Sequence, residues 1–112
     1  MAFQTLDDFW PFYIAQHMNR KNRRLHFAGT TIGLAALAAG LLLRESRFLP
    51  LGLAGAYGLA WVGHFKYEGN RPATFRYPLL SFRADFRMYR LMWSGAMEAE
   101  IIRLKQRILP YR

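Results

Sequence analysis

The sequence has 112 residues, of which 53% are hydrophobic, and it carries a net charge of +9. The apolar fraction excludes a disordered basic tail, and the absence of cysteine excludes a disulfide scaffold, a cysteine-ligated zinc site and an iron–sulfur cluster. Three histidines are too few for a histidine-rich di-iron desaturase site. The length indicates one domain over residues 1–112, and the charge indicates an anionic partner, either nucleic acid or a membrane surface.

The N-terminal segment predicts a short aromatic helix. Thr5-x-x-Asp8 resembles a capping box, and Pro11 suits the first turn of a helix that Asp8 caps. The helix is expected to end near Met18, and its many aromatic side chains indicate an interfacial or core-packing helix. Residues 19–22 (NRKN) are typical of a turn.

Two uncharged stretches follow, at residues 25–43 and 48–65. As helices they would span roughly 27–29 Å, which is close to the thickness of a bilayer core. The polar linker at residues 44–47 is so short that the two spans must form an antiparallel hairpin. A soluble hairpin with a buried core is the alternative, but residues 34–43 (LAALAAGLLL) lack the polar stripe of a soluble helix.

The cations predict an orientation. Of the sixteen Lys and Arg residues, only Arg44 and Arg47 lie in the linker, so the positive-inside rule places both termini in the cytoplasm. The basic excess then faces anionic lipid headgroups, which accounts for the charge without nucleic acid. We therefore expect an integral membrane protein of a bacterial inner membrane or of the endoplasmic reticulum.

The C-terminal part predicts an amphipathic helix over about residues 79–109. Its apolar side chains recur every three or four residues, and Ser94-Gly95 is a candidate break. The predicted fold is thus all-α: an antiparallel transmembrane hairpin with an N-terminal interfacial helix and a C-terminal amphipathic helix. The stripe consists of Phe82, Phe86, Tyr89, Trp93, Met97, Ile101, Leu104 and Ile108.

The hairpin brings the histidines to one level. His26 and His64 lie about 19 and 18 residues from the middle of the tip, so on antiparallel helices their depths agree within roughly 2 Å. Both lie on faces of Gly and Ala, through which transmembrane helices approach closely. The turn after the first helix can bring His17 to the same end.

Imidazole nitrogens bind Fe, Zn, Cu and Ni, and three neutral nitrogens leave coordination positions open, as catalytic sites do. We therefore expect a shared metal ion on His17, His26 and His64. Two alternatives remain: a non-enzymatic basic membrane protein that binds anionic lipid, with interfacial histidines, and a haem protein with two axial histidines.

Two motifs resemble the 2-hydroxy fatty acid dioxygenase family. The first is His17-x-x-x-x-Asn22-x-x-x-His26-x-x-Gly29, and the second is Trp61-Val62-Gly63-His64 followed by Glu68 and Arg71-Pro72-Ala73. The resemblance covers roughly residues 12–87. It implies a small membrane protein that binds Fe(II) through histidines and uses O2 to shorten a 2-hydroxy fatty acid by one carbon, in α-oxidation.

The resemblance also implies roles for individual residues. It makes His17, His26 and His64 the iron ligands. Glu68 and Asn22 are the candidate catalytic residues: Glu68 either fixes a histidine tautomer or pairs with an arginine, and Asn22 is either a site residue or a turn residue. Relatives can have more hydrophobic segments than this compact chain, which leaves open whether it needs a second copy, as a homo-oligomer, to close its site.

Overall fold

The computed structural model describes residues 3–112, and every regular element among them is helical. The all-α prediction is therefore confirmed for the described part of the chain. The main elements are α1 (Leu6–Ala15), α2 (Arg20–Leu43), α3 (Phe48–Val62), α4 (Pro78–Trp93), α5 (Met97–Arg103) and α6 (Lys105–Ile108). A π-helical segment (Gly63–Glu68) continues α3, and 3₁₀ turns lie at Ala73–Phe75 and Leu109–Tyr111.

The first helix begins and ends earlier than predicted. Thr5 is the N-cap of α1, and its hydroxyl accepts a hydrogen bond from the Asp8 amide at 3.1 Å. This confirms the capping contact but corrects the helix start, because Pro11 lies inside the helix and not in its first turn. The helix stops at Ala15 rather than near Met18, since the chain turns there toward α2.

Helix α1 provides the centre of the hydrophobic core. The exposed fraction is 0% for Phe9, 2% for Trp10 and 1% for Tyr13, so the aromatic side chains of α1 pack inside the protein. Burial of such large side chains is a main source of stability in a chain of this size. Their buried partners from the C-terminal half are Ala84, Met88, Met97, Leu104 and Ile108.

The turn predicted at residues 19–22 is wrong, because α2 begins at Arg20. Asn19 is the N-cap, and its side-chain oxygen accepts hydrogen bonds from the amides of Lys21 and Asn22 at 2.8 and 3.4 Å. Asparagine is among the best N-cap residues, and its cap outweighs the charges that marked this stretch as a loop. The cations therefore lie on the first turns of α2.

Helices α2 and α3 pack along faces of small residues. Gly29 lies against Ala56, and Gly40 lies against Phe48 near the tip, which is the order of contacts in an antiparallel pair. A Cβ atom added at Gly29 would lie 2.7 Å from the Ala56 carbonyl oxygen, so the two backbones are in contact at this point. Such close approach requires glycine and alanine.

The helix predicted over residues 79–109 is interrupted. Helix α4 ends at Trp93, and Gly95 has a φ of 74°, a left-handed conformation that glycine adopts without strain. This confirms the candidate break at Ser94-Gly95. A second break follows at Leu104, between α5 and α6. Helix α4 contacts both α1 and α2, so it joins the core to the hairpin.

Two helices are long and apolar enough to cross a membrane: Arg20–Leu43, and Phe48–Glu68, in which α3 and the π-helical segment are continuous. Only 17% of each apolar window is buried within the chain. Leu42 near the tip, for example, is 82% exposed. The hairpin therefore presents an apolar surface that this chain by itself does not cover.

Candidate metal centre

The three histidines converge at the end of the hairpin remote from its tip. One side-chain nitrogen from each lies within 4.8 Å of the others, and the rings of His17 and His26 have their centroids 4.5 Å apart. The exposed fractions of His17, His26 and His64 are 1%, 6% and 2%. Because the turn after α1, helix α2 and the π-helical segment after α3 each supply one ring, the cluster exists only in the folded chain.

The outer nitrogen of each ring faces an acceptor. Nδ1 of His17 lies 2.6 Å from the Tyr13 carbonyl oxygen, and Nδ1 of His26 lies 3.0 Å from that of Asn22. Nδ1 of His64 lies 2.6 Å from Oδ1 of Asn70. An acceptor at Nδ1 fixes the proton there and leaves the Nε2 lone pair free. The three Nε2 atoms are therefore the donors available to a ligand.

The separation of two of these nitrogens fits a shared ion. Nε2 of His17 lies 3.1 Å from Nε2 of His26. With both protons on Nδ1, two lone pairs face each other at this distance, which is unfavourable unless a cation lies between them. Two nitrogens bound at about 2.1 Å to one metal ion would be separated by a similar distance. The donor set of this structure therefore fits a metal ion.

The π-helical segment sets the position of His64. The backbone carbonyl of His64 accepts hydrogen bonds from the amides of Gly69 and Asn70 at 2.8 and 3.1 Å. Gly69 reverses the chain with a φ of 72°, which brings the Asn70 side chain back onto the His64 ring. Segments of π-helix occur often at functional sites, and this one holds a candidate ligand together with its hydrogen-bond partner.

The predicted catalytic residues lie beside the cluster. Asn22 is completely buried, and its amide nitrogen lies 3.3 Å from Oε1 of Glu68. Oε1 of Glu68 also accepts a hydrogen bond from the Asn19 amide at 2.5 Å. Glu68 therefore links the π-helical segment to the start of α2. The sequence suggested that Glu68 contacts a histidine ring, but Asn70 makes this contact, with His64.

Glycine is needed where Asn22 packs on the π-helical segment. A Cβ atom added at Gly63 would lie 2.1 Å from Oδ1 of Asn22. That oxygen is buried and has no hydrogen-bond partner among the described residues. Gly63 thus lets α2 approach the residue before His64, which explains the Gly-His pair in the motif.

His17 is uncharged at neutral pH. Burial lowers the pKa of His17 well below its ordinary value, and the neighbouring His26 and His64 act in the same direction. Arg23, itself 4% exposed, donates to the His17 carbonyl at 2.7 Å and to Glu98 at 2.8 Å. A neutral imidazole is the form that binds metals, so this ligand is ready at pH 7.

Sequence reasoning missed Asp85. The Tyr13 hydroxyl donates a hydrogen bond to Oδ1 of Asp85, and the Tyr13 ring stacks on His17 with centroids 4.0 Å apart. Burial raises the pKa of Asp85 to about 7, although the Tyr13 hydrogen bond opposes this. The sequence did contain a feature that could have identified it. Asp85 is the only acidic residue between Glu68 and Glu98, and it lies within the apolar stripe of α4.

We expect Asp85→Asn to stabilise the protein at pH 8 and to have little effect at pH 4. The folded chain binds the Asp85 proton more tightly than the unfolded chain, whose pKa is near 3.8. Wild-type stability from this group is therefore lost as the pH rises from about 4 to about 7. The gain should be on the order of 2 kcal/mol after allowance for partial exposure, measured by thermal unfolding in detergent. Destabilisation at pH 8 would contradict this expectation.

A cavity of about 340 Å³ extends from the cluster along the hairpin, between α2, α3 and α4. His26 and Asp85 line it, and most of the other lining residues are apolar. Leu37, Leu49 and Leu53 line it on the side of the hairpin tip. The cavity therefore offers polar groups near the histidines and an apolar wall beyond them.

We expect Asn70→Leu to lower metal affinity about 10–100-fold, the usual cost of removing a partner of a metal-bound histidine. The substitution keeps the approximate volume of Asn70 but removes the acceptor for His64 Nδ1. Competition with a chelator of known affinity measures the change. Asn70→Asp restores an acceptor and should recover most of the affinity, whereas equal losses in both variants would argue against the hydrogen bond as the cause.

The fold and the cluster together define a class of protein: an all-α chain with two helices able to cross a membrane and three buried histidines able to hold a metal ion. The family model described as "2-hydroxy-palmitic acid dioxygenase Mpo1-like" matches residues 3–97. The chain belongs to this family, as the two sequence motifs suggested. Searches of curated proteins and of solved structures find no match.

Proposed function

We propose that this chain is an Fe(II)-dependent dioxygenase that shortens 2-hydroxy fatty acids by one carbon, in α-oxidation, at the cytoplasmic face of a membrane. The observation that carries the proposal is the convergence of three buried histidine rings, each of which has a hydrogen-bond acceptor at its Nδ1 atom. Membership of the dioxygenase family supports the reaction class and the type of substrate.

His17, His26 and His64 would hold the ion, and Asn70 would keep His64 aligned. When bound, Fe(II) supplies the redox chemistry with O2 and attracts the carboxylate and hydroxyl of the substrate. Three histidines leave coordination positions open for these groups. The burial of all three rings keeps bulk water away from the reacting atoms.

The reaction needs no second cofactor. A 2-hydroxy acid and one O2 molecule balance with the acid one carbon shorter, carbon dioxide and water. The electrons that reduce O2 come from the bonds to the hydroxyl-bearing carbon, so neither a flavin nor a nicotinamide is required. The cavity beside His26 would receive the acyl chain, with its leucines in contact with the tail.

We also propose that α2 and α3 lie in a bilayer. Most of their apolar windows are uncovered in the chain, and hydrocarbon would cover them. Because only two of sixteen cations lie at the tip, we propose that both termini face the cytoplasm. The chain has no cysteine, so Ser46→Cys and Ser94→Cys report sidedness by thiol labelling. Labelling of both cysteines from the same side of the membrane would contradict this topology.

Chemical cross-linking in the membrane would test separately whether the chain forms a homo-oligomer.

Anaerobic purification in detergent, metal analysis and O2 electrode measurements test the function. We expect about one iron per chain and O2 consumption that depends on a 2-hydroxy fatty acid, with the acid one carbon shorter as the product. A protein without iron, and without O2 consumption after iron is supplied, would overturn the proposal. Binding to anionic vesicles under those conditions would favour the non-enzymatic lipid-binding alternative.

A further inference from the structure

The cavity beside the histidines contains one carboxylate. Asp85 is the only acidic side chain among its lining residues, and apolar groups such as Phe82 and Leu53 form most of the surface. A carboxylate next to an apolar cavity is costly unless it has a partner. Asp85 therefore offers a hydrogen-bond acceptor to a ligand group in this cavity.

Tyr13 orients this carboxylate and leaves half of it free. The Tyr13 hydroxyl donates to Oδ1 of Asp85, whereas Oδ2 has no hydrogen-bond partner among residues 3–112. The same Tyr13 ring stacks on His17, and His26 lines the same cavity as Asp85. Oδ2 is thus an unused acceptor on a side chain that lines the cavity together with His26 and is linked to His17 through Tyr13.

We propose that Asp85 accepts a hydrogen bond from the 2-hydroxyl group of the substrate and so selects 2-hydroxy acids over plain fatty acids. This inference rests on the proposed function. A hydroxyl group whose oxygen approaches the ion still has a proton to donate, and Oδ2 of Asp85 is an acceptor for it. A fatty acid without the hydroxyl would leave that oxygen unpaired, and sites built for a substrate hydroxyl reject analogues that lack it.

Two acids that differ only in the hydroxyl group separate this role from a structural one. Binding of 2-hydroxyhexadecanoic acid and of hexadecanoic acid is measured without O2 on the iron-loaded protein in detergent at pH 8, above the pKa of Asp85 of about 7. General damage to the fold weakens the binding of both acids alike, so the ratio of their dissociation constants reports on the contacts that the hydroxyl group makes. We expect Asp85→Ala to reduce the preference for the 2-hydroxy acid about 10–100-fold, the usual effect of losing a hydrogen bond to a charged group.

Asp85→Asn serves as a second variant, because its side-chain oxygen can still accept the Tyr13 hydrogen bond. We expect its preference for the 2-hydroxy acid to fall about tenfold or more. Phe86→Leu is the matched control from the same cavity and the same helix. It changes an apolar contact only, so both affinities should move together and their ratio should stay constant.

The outcomes distinguish the two proposals. If the wild-type protein binds iron and turns over a 2-hydroxy acid but both Asp85 variants keep the wild-type ratio within about twofold, the role of Asp85 is overturned and the dioxygenase function stands. If the wild-type protein neither binds iron nor consumes O2, the dioxygenase function fails, and this inference fails with it. A selective loss for the 2-hydroxy acid supports both.

Discussion

His64→Ala is expected to remove almost all bound iron and all 2-hydroxy-acid-dependent O2 consumption. His64 is the only histidine that reaches the cluster from the second helix of the hairpin. Its loss leaves two nitrogens, and metal affinity should fall by more than the roughly 10–100-fold seen when only a partner of a ligand is removed. Metal analysis and chelator competition after anaerobic purification measure the effect.

Lys66→Gln is the matched control for this variant. Lys66 is two residues from His64 in the same π-helical segment, but its side chain is exposed. The control should keep its iron and melt at the wild-type temperature. If His64→Ala retained a full equivalent of iron while Lys66→Gln did the same, the cluster would not be the metal site.

Gly29→Ala is expected to push α2 and α3 apart and to loosen the metal centre. The new methyl group would meet the Ala56 carbonyl oxygen at 2.7 Å and its Cα at 3.2 Å, and neither backbone atom can move independently of its helix. Overpacking of this kind costs about 1–3 kcal/mol. Metal affinity should drop by about tenfold or more, since ligand distances tolerate only about 0.2 Å.

Gly58→Ala makes the same chemical change on the other helix of the pair. A Cβ atom there would meet nothing within 4 Å, so stability should be unchanged or higher by up to about 1 kcal/mol through helix propensity. Thermal unfolding and iron content of the two variants, compared in one detergent, measure the difference. Identical behaviour of the two glycines would show that backbone contact between the helices does not determine the geometry of the site.

Much of the site could be predicted because it depends on regular geometry. The uncharged stretches predicted α2 and α3, and a constant rise per residue was enough to bring His26 and His64 to one level. Even His17, whose approach required a turn of unknown shape, joins them. The boundaries were less accurate, since charge marked residues 20–24 as lying outside the helix although the Asn19 cap starts it earlier.

The parts that could not be predicted depend on departures from that geometry. In a regular helix Glu68 would follow His64 by about one turn, which is why the sequence suggested it as the partner of that ring. The π-helical segment and the reversal at Gly69 place Asn70 there instead. Glu68 turns to the amide of Asn19, where a carboxylate meets the positive end of α2. No local sequence pattern predicts that Asn70, and not Glu68, contacts His64.

The distribution of the three imidazoles along the chain has a consequence for maturation. Two of them precede the hairpin tip and the third follows it, so a chain emerging from the ribosome has an incomplete set until its second apolar helix has formed and folded back. If the cluster holds an ion as proposed, loading of that ion would be a late step, and a loaded protein would be one whose hairpin is complete.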